Sequence, residues 1–289
     1  MNTFEDRILE HINFFITIEI IGALFVVLIL IETIYDYVTG RRSNLKESAA
    51  NGVIEIGNRL LERTIVGTVF IIGLLLIEPL AVFDIPFNTW SWLLAVILAD
   101  FSYYWMHRSE HQVRFLWALH STHHSSHEYN LTTSFRLSWL ESLFEWVFFI
   151  PMIIIGFDVI QTLGALLIVV LYQTWIHTEK IKRLGLLDRI FNTPSVHRVH
   201  HATNPQYIDK NYGGILILWD RLFGTYKSEK EPVVYGITVP LNTSNPVTIN
   251  FQEFSNIAKD IKSATTINEA LGYLFNRPGW KPESKSNPG

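Results

Sequence analysis

The chain of 289 residues contains no cysteine. That excludes disulfides, thiolate-held metals and a cysteine nucleophile. Any metal site must therefore use histidine, carboxylate or water. Charge is also scarce: 17% of residues are Asp, Glu, Lys or Arg, and the formal net charge is −4. Such a balance gives no reason to expect nucleic acid as a partner. No Lys or Arg occurs from Thr64 to Met106, and none from Trp139 to Glu179. A cleaved secretory leader is not expected either. The first apolar run, Phe14 to Ile34, is too long for the core of a leader and has no basic stretch before it, so it predicts a retained transmembrane helix.

Apolar residues are plentiful: 48% are hydrophobic, 13% aromatic, and the mean hydropathy is +0.20. Several runs approach the roughly 20 residues that cross a bilayer. The candidate spans are Phe14 to Ile34, Thr64 to Phe83, Trp90 to Met106, Leu140 to Ile155 and Val159 to Ile176. Short connections with turn residues, Asp84 to Asn88 and Gly156 to Asp158, pair the last four into hairpins. The fourth and fifth segments are short, and the fourth carries Glu141, Glu145 and Pro151, so they cross fully or dip in as a hairpin. The expected fold is all-α: an integral membrane protein with four to five transmembrane segments and a histidine-rich, di-metal helical cap. Three regions follow: residues 1–63, an N-terminal span and linker; 64–226, a catalytic membrane domain; 227–289, a C-terminal extension and tail.

Orientation follows from the basic residues. Arg41, Arg42, Lys46, Arg59 and Arg63 follow the first span; Arg108, Arg114 and Arg136 follow the third; Lys180, Lys182, Arg183 and Arg189 follow the fifth. Only Arg7 falls on the other side. The positive-inside rule then places the cap in the cytoplasm, of a bacterial inner membrane or an endoplasmic reticulum membrane, with the N-terminus outside. Asn44 to Gly57 reads as an interfacial loop, Lys262 to Phe275 as a surface helix, and Arg277 to Gly289 as a loose tail.

Eight of the eleven histidines fall in three clusters on that side: His107 with His111; His120 with His123 and His124; His197 with His200 and His201. Residues three or four apart share one helix face. Adjacent histidines differ by about 100° around a helix and can face two different metals. Eight imidazoles are too many for one ion and suit two. His177, closing the fifth segment, is the ninth candidate. Structural zinc usually recruits cysteine, and copper binds imidazole well; two irons best match a histidine-rich site beside a lipid phase. Such a pair activates dioxygen and attacks an unactivated C–H bond, chemistry that no side chain performs alone.

Further polar residues lie near. Asp100, two turns before His107, is a costly carboxylate inside a span and would orient a histidine, pair with an arginine or bond a neighbouring helix. Gln173 lies one turn before His177. Glu110 and Glu179 are candidate supporting or ligating oxygens, and His127, three after His124, is a candidate supporting residue. His11 is read as structural, and Tyr103-Tyr104-Trp105 as an interfacial aromatic belt.

The pattern His-x3-His, His-x2-His-His, His-x2-His-His resembles the fatty acid hydroxylase/sterol desaturase superfamily of membrane di-iron enzymes. The stretches Asp100 to Trp105, His120 to Ser126, Tyr129 to Thr133, Tyr172 to Glu179, Asn192 to Ser195, Tyr207 to Ile215, Trp219 to Thr225 and Val234 to Thr238 are similar to its alkylglycerol monooxygenase branch, over about Ile65 to Trp280. The resemblance implies the nine histidines as iron ligands, a membrane lipid and O2 as substrates, and tetrahydrobiopterin as donor. In that branch the carbon next to an ether oxygen is hydroxylated, and the hemiacetal falls apart to aldehyde and glycerol. Two positions depart. Gln112 stands where the branch has glutamate, and His127 precedes Glu128 where an acidic residue is expected near Ser126; both bear on donor, substrate and metal affinity.

Within the superfamily, sterols, carotenoids and fatty acyl chains are alternative substrates, and desaturation shares the first hydrogen abstraction with hydroxylation. A membrane metal transporter or sensor accounts for the histidines but not for their duplicated order or their place outside the spans. A catalytically inert lipid-binding relative is the third class.

Overall fold

A computed structural model describes residues 4–40 and 44–283. Arg41, Arg42 and the last six residues of the predicted tail lie outside the described residues. The regular elements described are helices, with two isolated bridges, Phe191 to Leu216 and Ala202 to Tyr235. They are α1 (Phe4–Glu10), α2 (Ile12–Val38), α3 (Leu45–Leu61), α4 (Gly67–Ile77), α5 (Thr89–Gln112), α6 (Arg114–His124), α7 (Ser142–Glu145), α8 (Ile150–Ile155), α9 (Val159–Thr174), α10 (Pro194–His200), α11 (Leu218–Leu222), α12 (Pro246–Lys262) and α13 (Ile267–Phe275).

Among the described residues, two helices are long and apolar enough to cross a membrane: Ile12–Val38 and the continuous run Leu45–Leu80. Ser142–Ile155 and Val159–Thr174 are shorter apolar helices. α2 is inside out by the standards of a water-soluble protein. Its buried residues are Ile29, Glu32 and Asp36, whereas Leu24, Leu30, Ile31 and Ile34 stand 56–61% exposed. In water such a face is unstable; against hydrocarbon it costs nothing. The buried Glu32 accepts from Thr178 Oγ1 and from the amide of Leu131, and Asp36 pairs with Lys180. Polar contacts thus tether this helix at the level of His177.

The two predicted hairpin connections bind each other. The amides of Val82 and Phe83 donate to the carbonyls of Ile154 and Ile155, and Ile85 N donates to Gly156 O. Gly156 has φ +120°, and a Cβ there would fall 2.0 Å from Phe83 O, so the position demands glycine. At this same end Arg7 bridges Glu78 and Asp158. The apolar core lies between α4, α5, α8 and α9 around Leu74, Ala95, Ala99, Ile153 and Val169.

Two expectations need correction. Asn44 to Gly57 is not a loop but most of α3. Its polar composition masks an amphipathic face, with Ala50, Asn51 and Ile54 buried and Ile54 packed with Ile249 of α12. A π-helical turn, Glu62–Val66, then joins α3 to α4. Gly67 permits it, since a Cβ would meet Glu62 O at 2.3 Å. The predicted surface helix from Lys262 to Phe275 is helical only from Ile267, as α13, and the preceding α12, Pro246–Lys262, was not expected; Asn245 and Thr266 cap their N-termini.

Glycine also sets helix spacing. A Cβ on Gly73 would lie 2.7 Å from the Trp146 ring, whereas one on Gly22 would meet nothing within 4 Å. Gly73→Ala is therefore expected to destabilise the fold by about 1–3 kcal/mol through overpacking. Gly22→Ala is expected to leave stability unchanged or raise it. Thermal unfolding of the two variants in one detergent checks the contrast.

Candidate metal centre

Four elements supply nine histidines. α5 carries His107 and His111, and α6 carries His120, His123 and His124. His177 follows α9, and α10 with its C-cap carries His197, His200 and His201. All but His111 are buried residues, and the Nε2 of His111 is itself enclosed. Their ligand atoms form two groups. One holds His107, His111, His120, His124 and His200; the other holds His123, His177, His197 and His201. Adjacent histidines part company, His123 from His124 and His200 from His201, as the 100° step of a helix dictates.

The rings point Nε2 inward. His107 Nδ1 donates to Tyr212 O at 2.9 Å, His177 Nδ1 to Gln173 O at 2.7 Å and His200 Nδ1 to Lys210 O at 3.1 Å. Those bonds assign the proton to Nδ1 and leave a lone pair on Nε2. His120 Nδ1 faces Glu141 Oε1 at 3.1 Å and Glu110 Oε2 at 3.3 Å. The Nε2 atoms then crowd: His107 to His120 3.0 Å, His120 to His124 3.1 Å, His124 to His200 3.0 Å, His123 to His177 3.1 Å, His177 to His197 3.0 Å. Lone pairs this close repel unless a cation sits among them. A metal–nitrogen bond of about 2.1 Å gives nitrogens roughly 3.0 Å apart at right angles and roughly 3.4 Å apart in a tetrahedron. The observed spacings are those of nitrogens gathered around a shared cation. His111 Nε2 and His123 Nδ1 are buried with no hydrogen-bond partner.

Burial also sets the protonation state. Desolvation disfavours imidazolium, lowering His120 to about 3 and His177 to about 4. The other seven are held well below the ordinary 6.5 by the same burial and by neighbouring imidazoles. At neutral pH all nine imidazoles are neutral, each with a lone pair free for a metal.

The acceptors are held by a turn. Asp209 and Asn211 adopt φ of 59° and 60°, the left-handed region that costs a non-glycine residue energy. Buried Asn211 compensates by donating to Val196 O and Lys227 O and accepting from Lys227 N. Between and after these two residues, Lys210 and Tyr212 present their carbonyls to His200 and His107. Asp220 accepts from the amides of Tyr212 and Gly213. Asp100 accepts from the amides of Ile215 and Leu216 and from the Trp219 indole. Asp100 thus touches none of the nine histidines; it fastens the loop whose Tyr212 carbonyl orients His107. Behind α6, buried Arg136 donates to Thr122 O, Ser125 Oγ and Asn51 Oδ1; desolvation lowers it to about 10, still charged at neutral pH.

A cavity of about 710 Å³ opens on both groups, at His120, His123 and His177, and runs between apolar residues such as Phe15, Ile160 and Leu167. Glu62, Glu141, Glu145, Tyr103 and Gln173 also line it. A second cavity of about 840 Å³ meets His111, His124 and His200 on the side of α12.

The fatty acid hydroxylase family matches residues 92–225, which include all nine histidines. Residues 92–225 are thus similar to the fatty acid hydroxylase family. It is 46% identical to alkylglycerol monooxygenase of Xenopus tropicalis over 202 residues, 69% of this chain and 45% of that protein. It is 39% identical to the Homo sapiens alkylglycerol monooxygenase over 264 residues, 89% of this chain and 58% of that protein. Ornithine lipid hydroxylase OlsE of Rhizobium tropici is 32% identical over 143 residues, 48% of this chain and 43% of its own. The chain thus spans about half the length of these relatives. No solved structure matches it. The fatty acid hydroxylase family and the histidine groups together fit non-heme iron.

The other sequence-predicted residues sort by place. Glu110 faces His120, and the Gln173 carbonyl orients His177. His127 lies in neither group; its amide donates to Glu47 Oε1 and its ring faces Leu241 O. The carboxylate beside Ser126 comes from Glu47 of α3, not from a sequence neighbour. Glu179 accepts from Tyr235 OH rather than approaching the histidines. His11 packs on Phe87 at the far end. Tyr103 is not belt: its ring lies 5.3 Å from His107. Sequence reasoning also missed Glu141, whose signal was a carboxylate in an apolar run, and Asp220 and Asn211, which carried none.

His201→Ala is expected to lower bound iron while His127→Ala leaves it at the parent level, read by metal analysis of purified protein. Asn211→Ala, which loses three hydrogen bonds and keeps the strained φ, is expected to reduce both stability and iron retention. Acid should also act on the metal-free protein. Its histidine pKa values lie below the unfolded 6.5, so the unfolded chain takes up protons first. Stability is full above about pH 6.5 and declines as pH falls toward 4, visible as a falling thermal midpoint.

Proposed function

We propose that this chain is a membrane-bound, non-heme di-iron oxygenase that hydroxylates a lipid with O2, and that the lipid is an alkylglycerol ether. The observation that carries the reading is the cavity: with Phe15, Ile160, Leu163 and Leu167 among its walls, it reaches His120 of one group and His123 and His177 of the other. His107, His111, His120, His124 and His200 would hold one iron, and His123, His177, His197 and His201 the other. Bound there, the pair supplies activation of dioxygen and attack on an unactivated C–H bond. The substrate carbon gains one oxygen atom; the second leaves as water, with two electrons and two protons from an external donor, tetrahydrobiopterin in the reading offered here.

The chain's own residues do the rest. Phe15, Ile160, Leu163 and Leu167 bind an alkyl chain and exclude water. Glu141, beside Glu110, holds His120 by its Nδ1. Glu145, Gln173 and Tyr103 form a polar end within the apolar cavity, suited to the hydroxyls of a glycerol head. That head would set the ether carbon at the histidines, where hydroxylation yields a hemiacetal that breaks to aldehyde and glycerol. The higher identity to the alkylglycerol monooxygenases than to the ornithine lipid hydroxylase favours this substrate over other lipids.

We further propose that α2, the run Leu45–Leu80, α5 as far as Met106, and the hairpin of α7–α8 with α9 lie in the bilayer. The histidines then sit at its cytoplasmic face. Arg7, paired with Glu78 and Asp158, marks the opposite end.

Iron-loaded protein given alkylglycerol, reduced pterin and O2 is expected to release fatty aldehyde, and His123→Ala to release none. About two irons per chain with no aldehyde would remove the ether substrate and leave sterols or acyl chains. No iron at all would remove the oxygenase reading.

A further inference from the structure

We infer that residues 182–190 and α11 form an anchor that seats the histidine-bearing end of the molecule on the bilayer surface, and that the surface it selects carries anionic phospholipid. The inference rests on the bilayer placement proposed above. Both segments stand outside the proposed spans, yet their exposed side chains are not those of a water-facing loop. Leu186, Leu187 and Ile190 are exposed on one, and Leu218 and Leu222 on the other; Leu186 is 73% exposed and Leu222 69%. Scattered singly, such residues are ordinary; gathered on one unit, they mark an interaction surface. The two segments are that unit, since Ile217 N donates to Ile190 O and Arg221 Nε to Arg189 O. Every exposed charge on them is positive: Lys182, Arg183, Arg189 and Arg221. Their two carboxylates, Asp188 and Asp220, are buried. Arg183 stands 4.0 Å from Asp188, at the limit of an ion pair.

The loop is held in shape from within. Asp188 accepts from the amides of Leu184 and Gly185 and from Thr193 Oγ1, and Gly185 takes a φ of +69° that glycine adopts freely. The closed turn leaves Leu186 and Leu187 exposed instead of folding them into the core. Its depth is set by two apolar helices. Tyr172 of α9 donates to Asn192 O, and on α5 the Phe101 ring lies 5.0 Å from that of Trp219 in α11. Phe223, which follows α11, packs on Trp105 at 5.0 Å, and tryptophan favours the head-group level of a bilayer. Place thus favours lipid over a protein partner: the surface continues the outward face of α5, where Ile97 and Trp105 are also exposed. Leucines enter the acyl boundary while the cations around them meet lipid phosphates and the negative potential of an anionic leaflet.

The chain has no cysteine, so one introduced thiol takes one nitroxide. Leu186→Cys and, on α2, Leu30→Cys are labelled separately in the full chain. Each is placed in nanodiscs of phosphatidylcholine alone or of an equal mixture with phosphatidylglycerol. Power saturation then compares collisions with O2, which concentrates in lipid, and with a water-soluble nickel chelate. In the mixed lipid the label at Leu186 should meet mainly O2; in phosphatidylcholine alone its nickel collisions should rise at least roughly twofold. Lys182→Gln with Arg189→Gln should erase that difference, and the label at Leu30 should read lipid throughout. Free access of nickel to Leu186 in both lipids, with Leu30 in lipid, overturns the anchor alone. Nickel at Leu30 overturns the bilayer placement beneath it. Equal insertion in the two lipids, unmoved by the glutamine pair, overturns the selection of anionic lipid. Dipolar broadening between two labels at Leu186 gives the surface to a second copy of the chain and overturns the anchor as well.

Discussion

Nine neutral imidazoles with converging lone pairs are the constraint on which the rest of the molecule depends. Left to themselves, Nε2 atoms 3.0–3.2 Å apart would push the rings outward. Several elements resist that. Backbone carbonyls of Tyr212, Gln173 and Lys210 hold three rings from behind, Glu141 holds a fourth, and Asp100, Asp220 and Asn211 hold the carbonyls. Each layer fixes the one inside it. Without such layers, helices short enough to end at the histidines would not present them so consistently.

A second constraint is the reversal of polarity. α2 turns its leucines outward and its carboxylates inward, and Glu32 and Asp36 reach the segment after His177. An apolar exterior with a polar anchor lets a site of polar residues persist next to hydrocarbon. One cavity with many apolar wall residues reaches His120, His123 and His177, and another reaches His111, His124 and His200.

Much of this was legible in the residues. The i, i+3 and i, i+4 spacing of the histidines needs only a helix to become a shared face, and the order of their groups follows from the helical repeat. Apolar runs are legible because hydrocarbon thickness sets their length. Glu110 was within reach of the site by proximity in sequence. Asp100 stood out as a carboxylate in an apolar run, but which groups it binds, 115 and 116 residues away, was not readable. α3 was misread because an amphipathic helix rich in Asn, Ser and Glu has the composition of a loop.

The sequence by itself determined the chemistry: histidine without cysteine, in three clusters beside apolar runs, restricts the metals and the setting. Only the tertiary structure decided the partition of the nine imidazoles into groups of five and four and the remote carbonyls that orient them. It also decided the entry of Glu141 and the placement of two cavities against different histidines. The reason is range. Helical periodicity fixes the direction of a side chain relative to its neighbours within a few turns, whereas a ligand set is closed by chain segments whose meeting depends on packing over a hundred residues.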